Sequence, residues 1–124
     1  MLRPTPFHAR TSALCHSYAY KDWNGFASVC RYDTHSEAEY FAFRNAAGLI
    51  DVSPLRKYEF IGRDAAALLT RLMSRDVQKY GIGRVAYCCL VDPFGKALDD
   101  CTVSRLSDQH FRVTASEAWL DWFT

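Results

Sequence analysis

Two adjacent carboxylates, Asp99 and Asp100, lie a few residues after a tight turn, within the stretch Tyr87-Cys-Cys-Leu-Val-Asp-Pro-Phe-Gly-Lys-Ala-Leu-Asp-Asp-Cys-Thr-Val103. A carboxylate held in a pocket can accept a hydrogen bond from an N–H and can stabilise positive charge developing on nitrogen. Strand interiors are normally poor in Asp, so a consecutive pair needs an explanation. One explanation is a solvated strand end. The other is a carboxylate aimed into a ligand site. On local chemistry the two aspartates are equivalent.

The elements that must position them follow from the turn. Asp92-Pro93-Phe94-Gly95 joins strands expected at residues 84–91 and 96–106. Pro93 presets φ at the second position, Asp92 can accept a local amide, and Gly95 tolerates φ > 0. A two-residue loop would pair Tyr87 with Asp100 on one face. A bulge at Gly95 would slip the register by one and put them on opposite faces, unless a second irregularity within residues 96–100 restored the match. Ser107-Asp108-Gln109 makes another turn, and residues 110–114 a third strand. A helix is expected from Glu117 onward.

Upstream, Thr34-His35-Ser36-Glu37 reads as a capping box, followed by a helix through Ala47 with Tyr40, Phe43 and Ala47 on its buried stripe and Gly48 as a left-handed stop. Residues 57–61 alternate as a strand. Ala65, Leu68, Leu69, Leu72 and Met73 follow the spacing of a buried helix face. Residues 1–24 lack periodicity and are expected to form an irregular arm. The remainder, residues 25–124, reads as an α+β domain: an antiparallel sheet with packed helices.

Composition narrows the function classes. The 124 residues are 49% hydrophobic and 23% charged, with a net charge of +1. That is ordinary globular composition, with no field of one sign to attract nucleic acid or an anionic membrane. No apolar run approaches a membrane span, and residues 1–10 lack the apolar core of a secretory signal. The five cysteines form no Cys-x-x-Cys pair. An odd set without metal-ligand spacing fits thiols in a reducing cytoplasm better than a disulfide framework or a zinc site. Residues 117–124 open a helix without a stop signal, so the sequence reads as the front part of a longer protein.

The order of several blocks resembles the glycine cleavage T-protein (aminomethyltransferase) family. The blocks are Glu37-Ala38-Glu39-Tyr40, the run Arg44-Asn45-Ala46-Ala47-Gly48-Leu49-Ile50-Asp51-Val52-Ser53, Gly62-Arg63-Asp64-Ala65, Arg75-Asp76-Val77, Gly95-Lys96-Ala97-Leu98-Asp99-Asp100 and Phe111-Arg112-Val113-Thr114-Ala115. The resemblance implies a tetrahydrofolate-dependent one-carbon transferase, with Asp100 as the key acid, Tyr87 lining the folate pocket and the backbone around Val113, Thr114 and Ala115 near the pterin. It implies as partners a small one-carbon donor, a carrier protein or a fused oxidoreductase domain. The alternative is a non-catalytic folate-binding or accessory domain of a flavin-linked demethylating dehydrogenase. The segment Trp23-Asn24-Gly25-Phe26, Pro54 after Asp-Val-Ser, and Val113-Thr114-Ala115 depart from the T-protein pattern and imply a different donor. The pterin-gripping Glu and Arg residues of the family fall outside these residues, so the chain is expected to carry one wall of a folate site and not to catalyse alone.

Overall fold

A computed structural model describes residues 1–123. The chain forms two compact units, Met1–Pro54 and the part from Leu55 onward.

In the first unit, residues 1–24 are not an irregular arm. They supply β1 (Arg3–Pro4), α1 (His8–Thr11) and β2 (Tyr20–Trp23), and β3 (Phe26–Val29) completes a three-stranded sheet in the order β1-β3-β2. β1 runs parallel and β2 antiparallel to β3. The β2–β3 hairpin turns at Asn24-Gly25, where φ is positive at both positions (52° and 79°). This is the dipeptide preferred for a primed two-residue turn. The Asp22 carboxylate accepts the Gly25 amide at 2.8 Å. Long-range pairing thus orders a stretch whose own periodicity is weak.

The helix that follows is α2 (Glu37–Asn45), shorter than the expected span. Its N-cap is Ser36, so Glu37 occupies the first helical position and the Thr34–Glu37 capping box does not form. Asp33 takes the Thr34 amide at 2.7 Å, and Glu39 reaches back to the Tyr32 and Asp33 amides at 2.7 and 3.2 Å. Tyr40, Phe41 and Phe43 are more than half exposed, contrary to the expected buried stripe. Gly48 does not adopt positive φ. Its lack of a side chain instead makes room for the Phe43 ring, which a Cβ there would overlap.

The second unit contains β4 (Arg56–Ile61), α3 (Ala65–Leu72), β5 (Val85–Val91), β6 (Ala97–Ser107), β7 (His110–Ala115) and the short α4 (Leu120–Phe123). The four strands make one antiparallel sheet in the order β4-β7-β6-β5. The α+β architecture is therefore as expected from the sequence. Alternation sorts the faces: Phe111, Val113 and Ala115 of β7 point into the core with Cys88, Leu90, Cys101 and Val103. Leu69 and Met73 of the α3 stripe are buried against them, whereas Leu68 stays 41% exposed. α4 begins three residues later than expected from Glu117. Phe123 meets Tyr58 and Phe60 edge-on at 5.0 and 5.1 Å. Among the described residues no helix is long and apolar enough to cross a membrane.

The opposite sheet face is polar at one end. Glu59 bonds Arg112 Nε at 2.6 Å and His110 Nε2 at 2.6 Å. The Arg112 bond first, then the His110 bond, holds the Glu59 carboxyl below its ordinary value of 4.5. A depressed folded-state pKa contributes stability that is complete above the unfolded value and disappears as pH falls through the folded one. Glu59→Gln is therefore expected to be less stable than wild type at neutral pH, with the two urea-unfolding curves converging as pH falls below the ordinary carboxyl value of 4.5. A gap that persists unchanged at low pH would refute this.

Candidate functional site

The turn between β5 and β6 decides which side chains can meet. Gly95 N–H donates to Asp92 C=O at 3.0 Å, and Asp92 N–H to Lys96 C=O at 3.0 Å. Gly95 sits at φ +81°. This is a bulged turn of the kind that slips the register by one. A second slip follows: Val91 pairs with Ala97, but Leu90 pairs with Asp99, leaving Leu98 bulged. Two single-residue slips sum to two, the side-chain period of a strand. Tyr87 now faces Thr102, and Asp100 lies diagonally beside it on the same face. Neither simple register occurs; the second irregularity restores the shared face.

Gly95 is the point on which this depends. An L side chain at that left-handed φ costs about 1–2 kcal/mol. Gly95→Ala is expected to lower stability by roughly that amount in urea titration. An unchanged midpoint would show that the turn has another solution.

Diagonal neighbours are within reach of an aromatic side chain. Tyr87 Oη donates to Asp100 Oδ2 at 2.9 Å. The bond to Asp100 raises the Tyr87 phenol above its ordinary value of 10, because its proton is held by a carboxylate. The pair lines a shallow concavity of about 130 Å³ with Leu55, Thr102, Thr114 and Ser116. Ala115 also borders it. Asp100 is exposed and Tyr87 is 61% exposed, so the aspartate is less buried than a tuned pocket acid would be.

Of the residues singled out from sequence, Tyr87, Asp100, Thr114 and Ala115 come together here. Val113 is not among the lining residues; its side chain, like that of Ala115, turns into the core, on the opposite face from Thr114. The neighbouring Asp99 is not solvent-facing. Its Oδ2 accepts the amides of Ser116 and Glu117 at 3.0 Å each and the Trp119 indole N–H at 2.8 Å. Tyr58 Oη grips the same segment, donating to Glu117 C=O at 3.0 Å and accepting from Trp119 N–H at 2.7 Å. The sequence offered no signal for Leu55, which is brought in from a distant segment, or for Ser116, the residue that follows Ala115.

The cysteines are all free. Cys88 and Cys101 face each other across β5 and β6 with Sγ atoms 3.7 Å apart in the core, and Cys101 Sγ lies 3.6 Å from Met73 Sδ. Among the described residues no group of His, Cys, Asp or Glu side chains is arranged to hold a metal ion.

In comparisons with known proteins, the family model described as GCVT N-terminal domain matches residues 5–123. A heme-dependent oxidative N-demethylase gamma subunit from Ectopseudomonas mendocina is 39% identical over 93 residues, covering 75% of this chain and 25% of that protein. A trimethylamine-oxide aldolase from Ruegeria pomeroyi is 33% identical over 124 residues, covering 98% of this chain and 16% of that protein. An aminomethyltransferase from Paraburkholderia phymatum is 32% identical over 127 residues, covering 98% and 33%. The chain thus spans between 16% and 33% of the length of these relatives. The crystal structure of the glycine cleavage system aminomethyltransferase T from Bartonella henselae shares the fold, with a TM-score of 0.84 at 21% identity over 98% of this chain and 33% of that one. With its α+β sheet and a family match over nearly its whole length, the chain belongs to the aminomethyltransferase family and corresponds to the GCVT N-terminal domain.

Proposed function

We propose that this chain supplies one wall of a tetrahydrofolate site and that the site serves transfer of a one-carbon unit onto folate. The observation that carries the reading is the Tyr87–Asp100 hydrogen bond at the rim of the concavity. An aromatic ring beside an ionisable acceptor suits a flat heterocycle that carries N–H donors. A space of about 130 Å³ is smaller than the roughly 300–1,000 Å³ of pockets that enclose a drug-sized ligand. It fits one edge of such a ring, and the open rim leaves room for a second wall. In that setting Asp100 orients a folate nitrogen, accepts its N–H and offsets positive charge as the carbon arrives. The five free thiols suit a reducing cytoplasm as the place of reaction.

The donor divides two readings. Likeness to aminomethyltransferases favours an aminomethyl group on a carrier protein. Likeness to a demethylase subunit at 39% identity favours service to an N-demethylating complex or a fused oxidoreductase domain. The shared step is folate binding. Anaerobic calorimetry on the 124-residue chain should detect tetrahydrofolate, with Tyr87→Ala weakening affinity by about tenfold through loss of roughly 1.4 kcal/mol of ring contact. Absence of binding by the wild-type chain would overturn the reading. The isolated chain is expected to show no transfer activity; measurable tetrahydrofolate-dependent transfer by it would contradict the one-wall proposal.

A further inference from the structure

We infer that Asp99 is the positioning residue of the Tyr87–Asp100 site: one carboxylate that sets both the height of Asp100 on β6 and the place of the Ser116 wall. The inference rests on the folate reading for its functional meaning and on geometry for its substance.

The geometry begins with an overhang. β6 pairs with β5 from Ala97, but its pairing with β7 starts only at Cys101↔Ala115. Residues 97–100 therefore extend past the end of β7, and their backbone lacks a strand neighbour on that side. Asp100 stands on this overhang, two residues after the bulged Leu98. A bulged strand end supported on one edge only is a poor platform for a carboxylate that must be held in place.

The Asp99 side chain fills the missing support. Its Oδ1 accepts the Asp100 backbone N–H at 2.8 Å. Its Oδ2 accepts the Ser116 and Glu117 amides and the Trp119 indole, the chain that leaves β7. Four donors on one ionised carboxylate make charge-assisted bonds, stronger than neutral ones. The two oxygens divide the work. One fixes the backbone that carries Asp100, and the other fixes the segment that carries Ser116, which lines the same concavity. The adjacent aspartates thus have separate tasks: Asp100 faces the concavity, and Asp99 holds the frame.

An amide cannot reproduce this. Asn has a single acceptor oxygen, and its NH₂ would meet N–H donors on whichever side it took. In Asp99→Asn the single oxygen stays with the three donors of the 116–119 segment, so the NH₂ meets the Asp100 N–H, the Asp100 platform is released and the Tyr87–Asp100 bond is lost with it.

The test reads that bond directly. Tyrosine labelled with ¹³C at Cζ, assigned with Tyr87→Phe, reports the Tyr87 titration by NMR in the full 124-residue chain. The Tyr87 pKa should fall toward that of an ordinary tyrosine in Asp99→Asn, as it should in Asp100→Asn. Tetrahydrofolate affinity of Asp99→Asn should fall at least tenfold, while Asp100→Asn retains most of its affinity. A folded Asp99→Asn variant with an unshifted Tyr87 titration overturns the inference. Should Asp99→Asn fail to fold, amide exchange on the wild type decides: the Asp100 N–H should be protected despite lacking a β7 partner, and exchange at the rate of an unstructured amide overturns the inference. Failure of wild type to bind tetrahydrofolate sinks the folate reading alone, because the titration and exchange results stand without ligand.

Discussion

Replacing Asp100 with Asn is expected to lower one-carbon transfer to tetrahydrofolate by about 10²–10⁴-fold, the usual contribution of a positioned acid or base, and to change folate affinity by less than about tenfold. The suitable protein is a fusion of this chain to the remaining part of the Paraburkholderia aminomethyltransferase, of which the chain covers 33%. The substitution keeps the shape of the side chain. The Asn oxygen can still accept from Tyr87 Oη, which now donates at 2.9 Å, and from a ligand N–H. What disappears is the negative charge and the ability to take a proton. Binding is therefore spared and the chemical step is not. Stopped-flow single-turnover rates and calorimetry on the same variant separate the two. Turnover equal to wild type would end the catalytic assignment of Asp100, whereas equal losses in affinity and rate would make it a binding residue only.

Phe111→Ala is expected to be the most damaging change to the fold itself. Phe111, the second residue of the interior strand β7, is fully buried and paired with Phe60 on β4 and with Arg105 on β6. The Arg105 guanidinium lies over its ring at 5.4 Å, and the same side chain donates to Tyr80 C=O at 2.6 Å and to Asp108. Truncating a buried Phe costs about 3–5 kcal/mol, against about 5–15 kcal/mol for a whole domain. A small unit built around one sheet cannot absorb that loss easily. Urea unfolding followed by far-UV circular dichroism should show a large drop in midpoint or no native baseline at all. A loss below about 1 kcal/mol would mean that β7 is not the centre of the core.

The second unit was the more legible half. The α3 stripe and the β5–β6 turn are local: their signals lie within a few residues, and burial of an apolar face or the φ demand of a glycine needs no distant partner. The first unit was harder because its order comes from pairing. β1 has two residues, and nothing in Arg3-Pro4 announces a strand until Phe26 and Ala27 lie beside it. The Asn24-Gly25 turn was visible in principle, since that dipeptide between aromatic residues is a hairpin signal. α2 differs from its sequence pattern for the opposite reason. Its apolar periodicity is real, but a periodic stripe states only that a face can be buried, and here Tyr40 and Phe43 remain exposed.

For the site, sequence alone determined the ingredients. The order of motifs identified the family, the Asp-Pro-Phe-Gly turn placed Tyr87 and the two aspartates on neighbouring strands, and strand alternation required that one aspartate point away from the other. Tertiary structure decided which face each one takes and which groups it meets. A strand has a side-chain period of two, so each one-residue bulge exchanges its faces. The Gly95 slip was readable from turn chemistry. The Leu98 slip was not, because it depends on how β6 is held between β5 on one edge and the 116–119 segment on the other. That second slip puts Asp100 beside Tyr87. The same strand alternation turns Val113 into the core and leaves Thr114 at the rim, and the carboxylate of Asp99 binds the chain that builds the opposite side of the concavity.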